Sequence, residues 1–326
     1  MADEPKGSEG KASRTWQVRG LFAVAAVIVL LAVAFGAGYM LGSRQGGQPE
    51  GKGLIVIDDA GRKVVLAKTP ERFVSLAPSV TEVLFAVGLG SKVVGVDDFS
   101  DYPVEAKNKT KVGAFTLNYE VIISLKPDLV VGADITSKSQ ISDLEKRGFA
   151  VLILAPKTIY GILQDIRLVG LVAGCVTAAM DLADLLDARI DAVTAKTSNA
   201  SLYKPRVYLE YDSFMGYWTF GPGSFGDDLI FLAGGVNIAH NATISYPQIN
   251  DEYIIKSDPE VIVFTTASYI NTTAEKIKQR PGWSVISAVK DNNIHPIDND
   301  LIARSGPRMI DGLEGLVKIL HPDLFP

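Results

Sequence analysis

Apolar and polar positions follow helical and strand periods along most of this chain. Two stretches carry nearly the same pattern, in which an Asn, a Glu and paired isoleucines precede a proline and a β-branched run: NYEVIISLKPDLVVG at 118–132 and NDEYIIKSDPEVIVF at 250–264. In each stretch the Asn can cap a short helix and the Glu suits the positive end of its dipole, while the proline ends the helix before a buried strand. The chain therefore contains one helix-to-strand unit twice.

The rest of the pattern predicts an α/β fold. Strands and helices alternate over 54–157, which begins with a hairpin and continues with a helix started by a capping box at 79–82. No strand signal occurs over 158–197, and only Gly174 interrupts the helical period there. We predict two α/β lobes, 54–157 and 205–326, held at a nearly fixed separation by connecting helices within 158–204.

The most apolar stretch precedes both lobes. The 24 residues between Arg19 and Arg44 carry no charge, and as a helix they would be about 36 Å long, which exceeds a hydrocarbon core of roughly 30 Å. We predict a cytoplasmic tail at 1–18, a transmembrane anchor at 19–42 and a flexible linker at 43–53. A cleavable signal peptide is the alternative, although its apolar core is usually about 7–15 residues. Basic residues cluster before the span, which predicts a single-pass cell-membrane protein with an extracellular binding domain.

Composition narrows the class of protein further. Apolar residues make up 47% of the 326 residues, and the net charge of −5 without a basic tract argues against a nucleic-acid partner. The single cysteine, Cys175, excludes an internal disulfide and lies too far downstream to carry a lipid anchor. Four N-x-S/T sequons beyond the apolar span are glycosylation candidates: Asn108, Asn199, Asn241 and Asn271.

The sequence contains no evident catalytic or metal-binding constellation. The three histidines are scattered without metal-ligand spacing, and no G-x-S-x-G motif occurs. A G-x-G-x-x-G match at 221–226 lacks the acidic residue that a dinucleotide-binding unit places about 20 positions later, so we interpret it as a glycine turn. We therefore expect a binding protein without a cofactor, a metal site or catalytic residues.

Aromatic residues are the strongest candidates for a ligand site. Most follow the ends of predicted strands, where α/β sheets present ligands, and a cleft between two lobes is the usual location of a small-molecule site. The candidates are Phe99, Phe115, Tyr211, Trp218 and Tyr246. Arg304 and Arg308 lie in a strand-to-helix loop and could hold an anionic group, with a salt bridge as the alternative role for both.

Four segments together resemble the vitamin B12 and iron-siderophore solute-binding proteins of ABC importers: SLAPSVTEVLFAVGLGSKVVGVDDFSDYP, NYEVIISLKPDLVV, YPQINDEYIIKSDPEVIVF and ARSGPR. The similarity covers about residues 70–325 and includes an S-x-x-P-S-x-T-E pattern, a DYP loop and the doubled N-x-E unit. The resemblance implies two Rossmann-like lobes joined by a long rigid helix, with a ligand held between them.

The resemblance also implies roles for individual residues. In this family a Glu on each lobe contacts arginines of the dimeric permease, which works with an ATPase, and the matching positions are Glu120 and Glu252. The aromatic pocket of the vitamin B12 branch maps by position onto Phe99, Phe115, Tyr211 and Tyr246. Its cleft arginine maps onto Arg304.

The expected ligand is a cobalt- or iron-containing chelate. A corrinoid is favoured because a flat macrocycle suits aromatic rings, and a ferric siderophore or haem is the alternative within the same class. A lyase or chelatase on the same lobes and a surface ligand sensor are the alternatives of other classes.

Overall fold

The computed structural model describes residues 53–199, 201–213, 215–267 and 272–325. The predicted tail, the anchor at 19–42 and nearly all of the linker lie outside these residues and stay predictions. Within the four described ranges, none of the helices has both the length and the apolar character that crossing a membrane requires.

The amino-terminal lobe opens with the expected hairpin, in which β1 (Leu54–Ile57) pairs antiparallel with β2 (Lys63–Leu66). A five-stranded parallel sheet follows, in the spatial order β5-β4-β3-β6-β7. Its strands are β3 (Phe73–Ser75), β4 (Val93–Val96), β5 (Thr110–Lys111), β6 (Leu129–Ala133) and β7 (Val151–Leu154). The helices between them are α1 (Pro78–Ala86), α2 (Tyr119–Leu125) and α3 (Lys138–Lys146).

Both faces of this sheet are covered. Leu129 and Val131 of β6 belong to one apolar core and Val130 to a second, as the alternation of side chains along a strand requires. A strand buried on both faces reads as a continuous apolar run, which is why the β-branched stretch identified this strand from the sequence.

Two helices connect the lobes, α4 (Ile159–Ala173) and α5 (Val176–Thr197). Thr158 caps α4, and Gly174 ends it at φ 70°, a left-handed conformation that favours glycine. The 22 residues of α5 span about 33 Å. One apolar core includes Ile166 of α4, Ile190 of α5 and residues of both lobes, so the connecting helices are packed into the lobes on either side.

The carboxy-terminal lobe holds a six-stranded mixed sheet, in which β9 runs antiparallel to β8 and β11. The strands are β8 (Arg206–Asp212), β9 (Tyr217–Thr219), β10 (Val236–Asn237), β11 (Gln248–Ile249), β12 (Val261–Thr266) and β13 (Ile294–Asp298). The helices are α6 (Phe225–Leu232), α7 (Asp251–Ser257), α8 (Ala274–Lys278), α9 (Ser287–Lys290), α10 (Asn299–Ala303) and α11 (Met309–Leu320). The short elements β9 to β11, α9 and α10 carry too few residues to show a period in the sequence.

The predicted repeat is confirmed as α2 followed by β6 and α7 followed by β12. The Asn118 side chain accepts a hydrogen bond from the Val121 N–H at 3.1 Å, and Asn250 accepts one from Tyr253 at 2.9 Å. Both helices end at a residue in the left-handed conformation, at φ 47° and 44°. The two copies therefore share their start and stop signals.

An arginine outside the repeated sequence extends the equivalence. Arg72 donates from Nε to the carbonyl of Lys126, the left-handed residue that ends α2, at 3.2 Å. Arg206 donates from Nε to the Asp258 carbonyl at the end of α7, at 2.8 Å. Each arginine lies at the start of the strand that pairs with the repeat strand, so each lobe closes its helix end in the same way.

The predicted capping box at 79–82 is wrong. The helix starts at Pro78, where the missing proline N–H would have no helical partner in any case, and Ala77 at the cap position makes no side-chain hydrogen bond. The Glu82 carboxylate does not return to the helix start, because Arg308 of the other lobe binds it.

Candidate ligand-binding site

Side chains from both lobes enclose a cavity of 460 Å³. The amino-terminal lobe contributes Asp134 and Ile135, which directly follow β6. The other eight lining residues belong to the carboxy-terminal lobe, and five of them are aromatic: Tyr211, Trp218, Phe220, Phe225 and Tyr246. The cavity thus brings together three of the aromatic candidates identified from the sequence.

The other two aromatic candidates line an adjoining cavity of 220 Å³ in the amino-terminal lobe. Phe99 and Phe115 meet edge to face with ring centroids 5.7 Å apart, and Phe115 is 89% exposed. Ile135 lines both cavities and so connects them. A ligand wide enough to cover Ile135 would contact aromatic rings of both lobes.

Phe220 organises the carboxy-terminal wall although the sequence analysis did not select it. Its ring is 1% exposed and lies 5.3 Å from the Tyr211 ring and 5.9 Å from the Tyr246 ring, centroid to centroid. Its position two residues after Trp218, and hence on the same face of an extended segment, is the signal that could have found it. Phe225, the first residue of α6, was also missed.

The same ring explains one glycine of the G-x-G-x-x-G match. A Cβ atom on Gly226 would lie 2.1 Å from the Phe220 ring, so only glycine allows α6 to pack there. Ser224 caps this helix by accepting from the Asp227 N–H. The glycine motif therefore serves packing of the aromatic wall.

A buried chain of polar groups positions the loop that carries Phe99. Thr81 Oγ1 lies 2.8 Å from Ser75 Oγ and 2.7 Å from Ser100 Oγ, and Ser100 donates to Asp97. The other Asp97 oxygen accepts the Phe99 N–H at 2.9 Å. Burial raises the pKa of Asp97 despite these hydrogen bonds. Ser75 and Thr81 of the S-x-x-P-S-x-T-E pattern thus hold the DDFSDYP loop.

Five charged side chains form an interlobe ion cluster, with Glu82 and Asp101 from one lobe and Asp300, Arg304 and Arg308 from the other. Arg308 holds Glu82 through two hydrogen bonds of 2.6 and 3.0 Å. Arg304 contacts Asp101 at 2.7 Å, Asp300 at 3.0 Å and Glu82 at 3.5 Å. The cluster therefore links the two lobes directly.

Burial and charge oppose each other within this cluster. Burial raises the pKa of Glu82 even though Arg308 and Arg304 act to lower it. Burial also acts to raise the pKa of Asp101, but the hydrogen bond and charge of Arg304 lower it overall. Both arginines form salt bridges, and Arg304 is not among the residues that line either cavity. Its role in ligand binding stays a prediction.

The two docking residues implied by the resemblance occupy equivalent places. Glu120 is the second residue of α2 and Glu252 the second residue of α7, and both are exposed. Within the described part of the chain, neither carboxylate is used in an ion pair. Both acids are therefore accessible to a partner, and their docking role stays a prediction.

The remaining candidates can be placed briefly. Asn108, Asn199 and Asn241 are exposed, and Asn271 lies outside the described residues. No group of three or more His, Cys, Asp or Glu side chains in the described ranges is arranged to hold a metal ion.

Two α/β lobes on a shared helical core, with a cavity walled by both, define a two-lobe binding protein. The chain belongs to the periplasmic binding protein family, whose pattern matches residues 73–301.

The comparisons with individual proteins agree with this membership. The chain is 34% identical over 277 residues to an uncharacterized ABC transporter substrate-binding lipoprotein, YvrC, of Bacillus subtilis, covering 83% of this chain and 87% of the relative. It is 30% identical over 275 residues to a cobalamin-binding protein of Halobacterium salinarum, covering 81% and 73%. The solved periplasmic heme-binding protein RhuT of Roseiflexus superposes with a TM-score of 0.70 at 27% identity, covering 78% of this chain and 99% of that one.

Proposed function

We propose that this chain is the solute-binding protein of an ABC importer and that it carries a corrinoid such as cobalamin between its lobes. The observation that carries the proposal is the pair of adjoining cavities, in which aromatic rings from both lobes flank Ile135. Aromatic faces and edges bind a flat macrocycle over a large apolar area. The similarity to a cobalamin-binding protein supports this ligand class.

Haem is the second candidate ligand, supported by the similarity to a heme-binding protein and by two tyrosines in the cavity. A tyrosine that binds ferric iron does so as the phenolate. Burial, the charge of Asp134 and the neighbouring Tyr211 raise the pKa of Tyr246, which disfavours its phenolate.

The ligand assignment is tested by spectroscopic titration of the full chain in detergent with cyanocobalamin, ferrichrome and hemin. We expect cyanocobalamin to bind with a shifted absorbance spectrum and to raise the melting temperature. Trp218→Ala and Tyr246→Ala should weaken binding at least tenfold. Phe231→Ala is the matched control, because this ring is 68% exposed and lines neither cavity. Preferential binding of hemin or ferrichrome would reject the corrinoid.

Delivery to the importer is the second part of the proposal. Two exposed carboxylates on equivalent helices suit two basic sites on a two-fold symmetric permease. Glu120→Lys combined with Glu252→Lys should abolish ligand uptake by cells while leaving ligand binding unchanged. Asp181→Lys, an exposed acid on α5, should leave uptake intact. Normal uptake by the double variant would exclude the docking role of these two acids. Normal uptake after deletion of the whole chain would favour a sensor.

Anchoring is the third part. The uncharged stretch at 19–42 supports a membrane anchor that keeps the binding domain outside the cell near its importer. We expect the chain to sediment with membranes, to resist extraction by alkaline carbonate and to retain its first residues. A mature protein that begins after the stretch would establish cleavage instead. Deglycosylation followed by mass measurement tests the sequons.

A further inference from the structure

The walls of the proposed ligand site carry negative charge. Of the ten residues that line the larger cavity two are charged, and both are acids: Asp134 from the amino-terminal lobe and Asp212 from the carboxy-terminal lobe. Asp97 lines the adjoining cavity. Among the described lining residues of either cavity there is no lysine, arginine or histidine.

The two arginines of the interlobe ion cluster do not offset this charge. Arg304 follows the lining residue Ala303, yet its guanidinium contacts Asp101, Asp300 and Glu82. Arg308 shares Glu82 and lies 3.9 Å from the centroid of the Tyr102 ring. Three carboxylates surround two guanidinium groups, so the interlobe ion cluster has no spare positive charge for an anionic ligand.

The charge of Asp134 also reaches the aromatic wall. After burial, this carboxylate is the largest contributor to the raised pKa of Tyr246. Asp134 itself is exposed to the cleft, and Asp212 is partly buried and keeps a contact within the chain. A ligand group between the lobes would therefore lie within range of a carboxylate on either side.

We propose that Asp134 and Asp212 make this site select macrocycles whose edges carry amide groups and reject macrocycles whose edges carry carboxylates. This inference rests on the proposed function and names the chemical class of ligand within it. Amide N–H groups donate to carboxylates in charge-assisted hydrogen bonds, whereas a ligand carboxylate meets like charge in a partly desolvated cleft. Rejection by repulsion is how a binding site excludes an otherwise similar ligand.

Two corrinoids that share one ring test the proposal. Dicyanocobinamide carries amides around the ring, and dicyanocobyrinic acid carries free carboxylates at the same positions. Cyanide occupies both axial positions of cobalt, so no aspartate can bind the metal. Both are titrated against the full chain in detergent at low and high salt.

The wild-type chain should bind the amide form at least 100-fold more tightly, with a smaller ratio at high salt because salt screens the repulsion. Asp134→Asn should tighten binding of the carboxylate form at least tenfold, and adding Asp212→Asn should tighten it further. Asp181→Asn is the matched control and should leave the ratio unchanged, with unaltered melting temperatures showing that all variants fold.

Equal affinity for the two corrinoids, or a ratio that Asp134→Asn does not change, would overturn this inference and leave the corrinoid assignment standing. Absence of binding by both corrinoids would overturn the proposed function together with it. The two failures are therefore distinguishable.

Discussion

In each lobe, buried polar groups support the segment that lines the cleft. In the amino-terminal lobe these groups are a chain of hydroxyls, whereas in the carboxy-terminal lobe they are an ion pair. The hydroxyl chain begins at Ser75 on β3 and ends at Asp97 beside Phe99. The ion pair joins Glu210 on β8 to Arg280. Since β3 and β8 each pair with the strand of the repeat, the two supports start from equivalent strands.

The carboxy-terminal support combines charge and aromatic stacking. Arg280 contacts the two Glu210 oxygens at 2.5 and 2.8 Å, and its guanidinium lies 4.6 Å from the ring centroids of both Tyr217 and Trp283. Burial acts to lower the pKa of Arg280, but Glu210 raises it overall. By contacting Tyr217, Arg280 fixes the position of β9. Trp218, the residue after Tyr217 in this strand, lines the cavity.

The difference between the two supports separates the features that both lobes share from those that each lobe has alone. The asparagine caps, the left-handed helix ends and the arginines that bind those ends, Arg72 and Arg206, are the same in both lobes. They determine where each helix-to-strand unit lies. The polar supports of the cleft are specific to each lobe, so removing one partner should cost a different amount of stability in each lobe. A buried charge left without its partner is penalised more than a buried hydroxyl left without one.

Arg280→Met should therefore produce the largest effect. It leaves the Glu210 carboxylate, whose side chain is 2% exposed, without its cation. We expect a loss of about 3–5 kcal/mol in the free energy of unfolding, measured by urea denaturation. Arg189→Met is the control, because that arginine pairs with Asp311 and Glu314 at the surface and should lose about 1 kcal/mol or less. Equal losses in the two variants would remove the argument for a buried ion-pair support.

Thr81→Val tests the hydroxyl chain with a side chain of similar shape. It removes the link between Ser75 and Ser100 and should destabilise the protein by about 1–3 kcal/mol. Ligand binding should weaken as well, because the Phe99 loop loses its anchor. Thr110→Val on the exposed strand β5 should stay within about 0.5 kcal/mol of the wild type. A neutral Thr81→Val would show that the loop is held by other contacts.

The sequence predicted the repeat, the two α/β lobes and the helical connection because these signals are local. A cap, a stop and a buried run lie within 15 consecutive residues at 118–132. The chemistry of the cleft depends instead on residues far apart. Arg308 binds Glu82 across 226 positions, which is why a capping box was predicted where an interlobe contact exists.

The candidate site was predicted only in part, because some of its residues can be recognised from local signals and others only from contacts between distant residues. Strand ends revealed five of its aromatic residues, and the cavities contain all five. Phe220 and Phe225 were missed because their role depends on how α6 packs against the Phe220 ring. The salt-bridge partners of Arg304 were missed because Asp101 belongs to the other lobe.

A pair of carboxyl groups, which joins the connecting helix α4 to the amino-terminal lobe, makes the stability of the protein depend on pH. Asp165 on α4 is 3% exposed and faces Asp59 beyond β1. Burial, then the charge and hydrogen bond of Asp59, raise the pKa of Asp165 to about 9. Because the folded pKa exceeds the unfolded value of about 3.9, the stabilising contribution is complete below pH 4 and declines as pH rises towards 9.

Asp165→Asn should flatten this decline and raise the free energy of unfolding at pH 9 above that of the wild type, since the amide cannot ionise. Urea denaturation from pH 4 to 9 measures the slope. Asp181→Asn should reproduce the wild-type slope, because Asp181 is exposed. An unchanged slope in Asp165→Asn would mean that the carboxyl pair does not share a proton in the folded protein.

The smallest predicted effect tests whether the two copies of the repeat are equivalent in energy as well as in geometry. Asn118→Ala and Asn250→Ala each remove one cap hydrogen bond to a helix of seven residues. Each should cost about 1 kcal/mol, and the double variant about the sum, because the caps share no contact. Asn118→Asp and Asn250→Asp should retain stability, since a carboxylate also caps and favours the helix dipole. If one alanine variant lost far more than the other, the shared hydrogen-bond pattern would conceal different stabilities, and the asymmetry of the cleft supports would extend to the repeat.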